Sequence, residues 1–282
     1  MKKIAFLLLT LFSISSQAQE TLNFDTNYIK SENNWVAFPA DSLGAYSFGF
    51  IYVDPQAGLT LDYSGTFKIQ GNKIIDFDKI ENHSMKYRLE PNRNLVAILP
   101  ESYLRELQVK KIPEWLEFYS KNNINSTEEL YNLGFMYNAW GECATAITYL
   151  EKAYQIDSNL PHINVDFAYS LNCLKRYSEA LDILVHTNKI KPNNAYIHKE
   201  ILYAQIHNNQ LNEAIKTYEY IIQNIEDTSF NSENAYNIAG EYYRKNNLKE
   251  FNNWVEKTKL DSDINYKYDI KQLRKLLETN KN

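Results

Sequence analysis

Ala146, Ala180 and Ala214 stand 34 residues apart, and Phe251 follows 37 residues after the last of them. They mark one position in four stretches that align without internal gaps: "ECATAITYLEKAYQID", "YSEALDILVHTNKIKP", "LNEAIKTYEYIIQNIE" and "LKEFNNWVEKTKLDSD". Around each mark the apolar residues recur at helical spacing. A unit of this length cannot bury its apolar face alone, so each must stack on the next, and the core becomes a row of layers. The period therefore predicts a stack of helical hairpins from Thr127 to about Asp263, in copies at 127–160, 161–194, 195–231 and 232–263.

The spacing resembles the tetratricopeptide repeat. The first copy carries Leu130, Leu133, Gly134, Tyr137, Ala146, Leu150 and Ala153 where that family alternates large and small residues. The small ones let two antiparallel helices approach, and the large ones fill the layers between. The second copy keeps Phe167, Ala168, Leu171, Ala180, Leu184 and a terminal Pro192, but departs at Asn164 and Thr187. The third has Leu202, Gln205 and Ile221 at positions usually small, aromatic and small. The fourth has Phe251 at the small position of its second helix. Wider helix spacing is expected in these later copies, and "DTSFNSE" lengthens the turn before the last. A closing amphipathic stretch, 264–282, places Tyr266, Ile270, Leu273 and Leu277 on one stripe, as the cap of such an array requires.

The chain begins differently. "MKKIAFLLLTLFSISSQAQ" has Lys2 and Lys3, an apolar run from Ile4 to Ile14, and small residues Ser16 and Ala18. It reads as a signal peptide over 1–18, giving an exported protein, periplasmic or secreted, with no stable membrane insertion after cleavage. From 19 to 99 the period is two. "AYSFGFIYV" puts Tyr46, Phe48, Phe50 and Tyr52 on one face. "LTLDYSGTFKI" puts Leu59, Leu61, Tyr63, Phe67 and Ile69 together, with "DPQAG" as the turn between. A small antiparallel sheet of about four to six strands follows. Residues 100–126 read as a helical connector, with Pro113 in the first turn of a helix that aligns Trp115, Leu116 and Tyr119. The predicted fold class is α+β: a β-sheet module, then an α-solenoid of about four hairpins and a C-terminal cap helix.

The net charge of −5, without a run of Lys and Arg, removes the electrostatic footprint of a nucleic-acid binder. The chain holds no H-E-x-x-H, C-x-x-C, P-loop, dinucleotide or G-x-S-x-G signature. Its five His are scattered, so neither catalytic residues, cofactor nor metal are expected. Asp62, Asp76, Asp78 and Glu81 give the sheet module carboxylates, the basis of a minor enzyme alternative. The two cysteines, Cys143 and Cys173, lie on helices that the stack makes neighbours, so the thiols could pair or serve as small core residues.

The resemblance implies a concave groove lined by the first helix of each copy. Carried onto this chain, its lining is Tyr131, Phe135 and Asn138; His162, Tyr169 and Asn172; Tyr196, Lys199, Tyr203 and His207; Tyr236, Tyr243 and Arg244. Such a face suits a protein or extended peptide, with tyrosines as contact anchors. Where family members clamp a terminal carboxylate, the first copy here has Tyr131 and Phe135, so that clamp is not expected. The function these observations imply is non-catalytic binding or scaffolding. Glycan binding by tyrosines, in the groove or on the Tyr46 to Tyr52 face, is the alternative.

Overall fold

The computed structural model describes residues 21–71, 73–80, 85–119, 124, 126–160 and 162–279. The signal-peptide reading and Glu81 lie outside them. The chain divides into two compact units, one up to Tyr119 and one from Ser120 onward, and no helix among the described residues is long and apolar enough to cross a membrane.

The first unit is a seven-stranded antiparallel sheet: β1 (Thr26–Asn27), β2 (Asn34–Ala37), β3 (Tyr46–Asp54), β4 (Gly58–Gln70), β5 (Lys73–Lys79), β6 (Met85–Arg88) and β7 (Leu95–Ile98). Their order is β1-β7-β2-β3-β4-β5. The long strand β4 shares one edge between β6, along Thr60–Tyr63, and β5, along Gly65–Gln70.

The hairpin β3–β4 corrects one expectation. Val53 lies opposite Leu59 and Ile51 opposite Leu61, but Phe48 pairs with Gly65 and Gly49 with Tyr63, so Ser64 is an extra residue. Because side chains alternate, one inserted residue reverses the faces beyond it. Leu59 and Leu61 therefore point to the opposite side from Phe67, which sits across from Tyr46. Gly65 is required there: its φ is +138°, and a Cβ would lie 2.0 Å from the Asp78 carbonyl oxygen.

Phe48, Phe50 and Tyr52 have no exposed surface. They pack with Trp35, Phe67 and residues beyond the sheet: Leu99, Tyr103, Leu104 and Leu107 on or beside α1 (Glu101–Glu106), and Trp115 and Tyr119 from a 3₁₀ helix at Glu114–Tyr119. Trp115 meets Phe50 and Tyr52 edge-on at 5.8 and 5.0 Å. Residues 100–119 thus complete the sheet's core, and the expected regular helix after Pro113 is a single 3₁₀ segment. Phe48, Phe50 and Tyr52 are too buried to stack on a sugar, and of that face only Tyr46 keeps partial exposure.

The second unit is a row of antiparallel helix pairs: α2 (Thr127–Ala139) with α3 (Cys143–Ile156), α4 (Ile163–Cys173) with α5 (Tyr177–Ile190), α6 (Ala195–His207) with α7 (Leu211–Asn224), and α8 (Asn231–Arg244) with α9 (Leu248–Thr258). α10 (Lys267–Thr279) closes it, burying Ile270 and Leu277 against Phe251, Trp254 and Val255. The row opens with a capping box: Ser126 Oγ accepts from the Glu129 amide, and Glu129 Oε2 from the Ser126 amide, both at 3.1 Å.

Each pair turns on a left-handed residue, Gly141, Lys175, Asn209 or Asn246, at φ of 76°, 63°, 60° and 53°. The amide after each donates to a carbonyl five residues back, for example Glu142 to Tyr137 at 2.8 Å and Arg176 to Leu171 at 2.8 Å. This is the Schellman closure, repeated four times. Close backbone approach is greatest in α2/α3 and least in α8/α9. In the first pair, a Cβ on Gly134 would sit 2.4 Å from Leu150 Cγ. In the last, Phe251 at the corresponding small position is fully buried in the core between the helices and the cap.

Candidate functional site

The first helices of successive pairs pack on one another, α2 with α4, α4 with α6 and α6 with α8, and second helices make no comparable contact among the described residues. The row therefore curves with α2, α4, α6 and α8 on its inner side. The residues read from sequence as groove lining fall into three groups there.

Some are ties between repeats. Asn138 is buried; its Nδ2 donates to the Asp166 carbonyl at 2.9 Å and its Oδ1 accepts from Ser170 Oγ at 2.8 Å. One repeat later, Asn172 Nδ2 donates to the Glu200 carbonyl at 3.2 Å and to Glu200 Oε2 at 2.9 Å. Both amides sit twelfth in their copies, and both reach the sixth residue of the next.

Others are drawn into packing. Tyr236 stacks on Tyr266 at 4.5 Å, and Tyr243 leans on the core under the cap helix. His207 stacks on Tyr177 at 5.1 Å and meets the tilted Tyr203 ring at 4.3 Å. Burial, with help from the nearby Arg244 guanidinium, lowers its pKa. Arg244 is exposed and pairs with buried Glu241 at 2.5 Å. His162 precedes α4 in a left-handed conformation, φ 69°, outside the helix.

The remainder form an accessible surface. Phe135 is 50% exposed and stacks on Tyr131 at 6.1 Å. The Tyr131 hydroxyl donates to Asp166 Oδ2 at 2.7 Å, and burial raises the pKa of both groups. Tyr169 and Tyr203 flank a hollow next to Lys199 and Glu200, and Tyr196 packs on Phe230 at 5.8 Å. Cys143 and Cys173 are joined in a disulfide with Cα atoms 6.2 Å apart, tying the start of α3 to the end of α4.

Sequence reasoning missed the acids. Asp166, Glu200 and Glu241 are all buried, and burial raises the pKa of Glu200. The signal was present: Asp166 and Glu200 stand 34 residues apart, each inside an apolar string, "VDFA" and "KEIL", where the helical period points inward. In the sheet module, Asp62 lies opposite Phe50 and Lys86. No group of three or more His, Cys, Asp or Glu that could hold a metal ion occurs among the described residues.

No family model matches the chain, and no curated protein does. Among solved structures it is similar to MamA MSR-1, with 17% identity and a TM-score of 0.42 over 51% of this chain and 81% of that one. It is similar to MamA 41-end from Desulfovibrio magneticus RS-1, with 22% identity and a TM-score of 0.41 over 56% and 83%. A tetratricopeptide repeat protein from Parabacteroides merdae shares 15% identity at a TM-score of 0.42, over 56% of this chain and 59% of that one. By its own 34-residue period, paired helices and repeated turns, the second unit has a tetratricopeptide-like solenoid fold.

Proposed function

We propose that the protein is an exported, non-catalytic binding or scaffold protein whose helical array holds an extended peptide or protein segment along the inner face of α2, α4, α6 and α8. Phe135 carries the reading. It is a large apolar side chain half in solvent, fixed from behind by Tyr131, which Asp166 holds in turn. A rigid aromatic presented on such a face gains contact area with little loss of side-chain freedom, the property of an interface anchor. Export is supported by the N-terminal pattern and by the Cys143–Cys173 disulfide, a bond that persists in oxidising compartments.

A photocrosslinking phenylalanine analogue at Phe135 tests this. It should capture a discrete partner from the native envelope, whereas the same group at Val185 on α5, also exposed, should not. Equal capture at both positions, or none at Phe135, overturns the reading.

A further inference from the structure

The inner face contains one hollow whose chemistry has a definite sign. It measures about 360 Å³ and is lined by Tyr169, Asn172, Lys199, Glu200, Tyr203 and Glu233. That is the small end of the range for ligand pockets, about 300–1,000 Å³, and suits one long side chain.

Its floor holds polar groups taken out of water. Glu200 is 3% exposed and Asn172 is 2% exposed. Both hydrogen bonds of the Asn172 amide nitrogen go to Glu200, while its Oδ1, equally buried, has no donor among the described residues. A buried acceptor left in that state carries its full desolvation penalty, which an arriving donor recovers. Burial raises the pKa of Glu200, and the Asn172 amide and the Lys199 ammonium oppose that rise.

The charge balance is acidic. Lys199 Nζ lies 3.6 Å from Glu200 Oε1 and 3.3 Å from Glu233 Oε1, so one ammonium serves two carboxylates. The same Nζ stands 5.4 Å over the Tyr196 ring and 5.1 Å over Phe230, an internal example of a cation held by carboxylates and rings on this face.

We propose that this hollow receives a basic side chain, arginine in preference to lysine, from the extended peptide bound along the inner face; the inference rests on the groove reading above. A guanidinium carries five donors and no acceptor, so it can serve Asn172 Oδ1 and the two carboxylates together, with its plane against the tyrosine walls. An ammonium offers only a compact point charge. A terminal carboxylate would meet two carboxylates and a lysine already paired with both, so the hollow discriminates by repulsion as well as attraction.

The test uses the full chain and two probes, acetyl-Ala-Ala-Arg-Ala-Ala-amide and the same peptide with neutral citrulline for arginine, titrated calorimetrically. The arginine peptide should bind at least about tenfold more tightly, the discrimination expected when a buried acceptor and charge lose their donor. Glu233→Gln, at a partly exposed position, should weaken the arginine peptide several-fold and leave the citrulline peptide unchanged. Lys199→Met should tighten it by removing the competing internal cation, an effect that a merely structural role for Lys199 does not produce. Equal binding of the two peptides, no binding of either, or weaker arginine binding by Lys199→Met overturns the proposal. If crosslinking at Phe135 persists in that case, the groove reading stands and only the cation pocket falls; if both fail, both are withdrawn.

Discussion

Asn138 and Asp166 are joined across two repeats: the Asn138 side chain donates to the Asp166 main-chain oxygen at 2.9 Å and accepts the Ser170 hydroxyl at 2.8 Å. Both hydrogen bonds are buried. Asn138→Ala should therefore cost about 1–3 kcal/mol of stability, because it removes one partner from each of two buried bonds. In a denaturant-midpoint measurement, Asn138→Ala and Ser170→Ala should couple by about 0.5–1.5 kcal/mol in a double-mutant cycle. Additive effects would show that the two side chains act independently.

The turn between α4 and α5 carries a lysine where the first pair has glycine. Lys175 has φ 63°, and its backbone completes the same closure as Gly141. A side chain in the left-handed region is strained by its own Cβ. Lys175→Gly should raise stability by about 0.5–1 kcal/mol, the relief exceeding glycine's entropic cost. Lys175→Val, β-branched at the same φ, should lower the melting temperature.

The disulfide between Cys143 and Cys173 closes a loop with a sequence separation of 30. Loop-closure entropy for that length predicts a loss of about 3–4 kcal/mol when the crosslink is removed. Chemical denaturation of the oxidised protein against Cys143→Ala/Cys173→Ala measures it. A difference under about 1 kcal/mol would mean that the unlinked chain keeps the two helices together in its unfolded state.

Glu200 links stability to pH. Burial raises its folded-state pKa above the unfolded value near 4.5, with the Asn172 hydrogen bond opposing. The folded state then holds its proton more tightly. Its contribution is fully present below the unfolded pKa and is lost as pH rises through the folded one. Glu200→Gln should melt higher than the parent at pH 7 and lose that advantage near pH 4. Asp166, also raised by burial, acts in the same direction. His207, lowered by burial, acts oppositely: its stabilising effect is present above its unfolded value of 6.5 and is lost as pH falls through the folded pKa. Scans on His207→Gln separate the two windows.

The helical half was legible because it is repetitive. A 34-residue recurrence of small and large residues is a local pattern, and local pattern is enough to pair helices, set their turns and place Gly134 against Leu150. It also marked the fourth copy as divergent, where Phe251 replaces a small residue and the helix pair makes the least close backbone approach. Alternation likewise revealed the strands of the sheet, since burial on a pleated surface has period two.

What stayed hidden depends on contacts between residues distant in the chain. The extra residue at Ser64 looks like any other strand residue until β3 supplies a partner register, and only then do Leu59 and Phe67 part to opposite faces. Asn138 and Asn172 belong to the inner face by position, yet whether an amide there meets a ligand or the next repeat is settled by what lies 28 residues on. The acids Asp166 and Glu200 left a trace in their 34-residue spacing, but their partners did not. A carboxylate inside an apolar string is a defect by composition, and it becomes part of a site only when tertiary packing brings Tyr131, Asn172 and Lys199 to it and closes the surrounding water out.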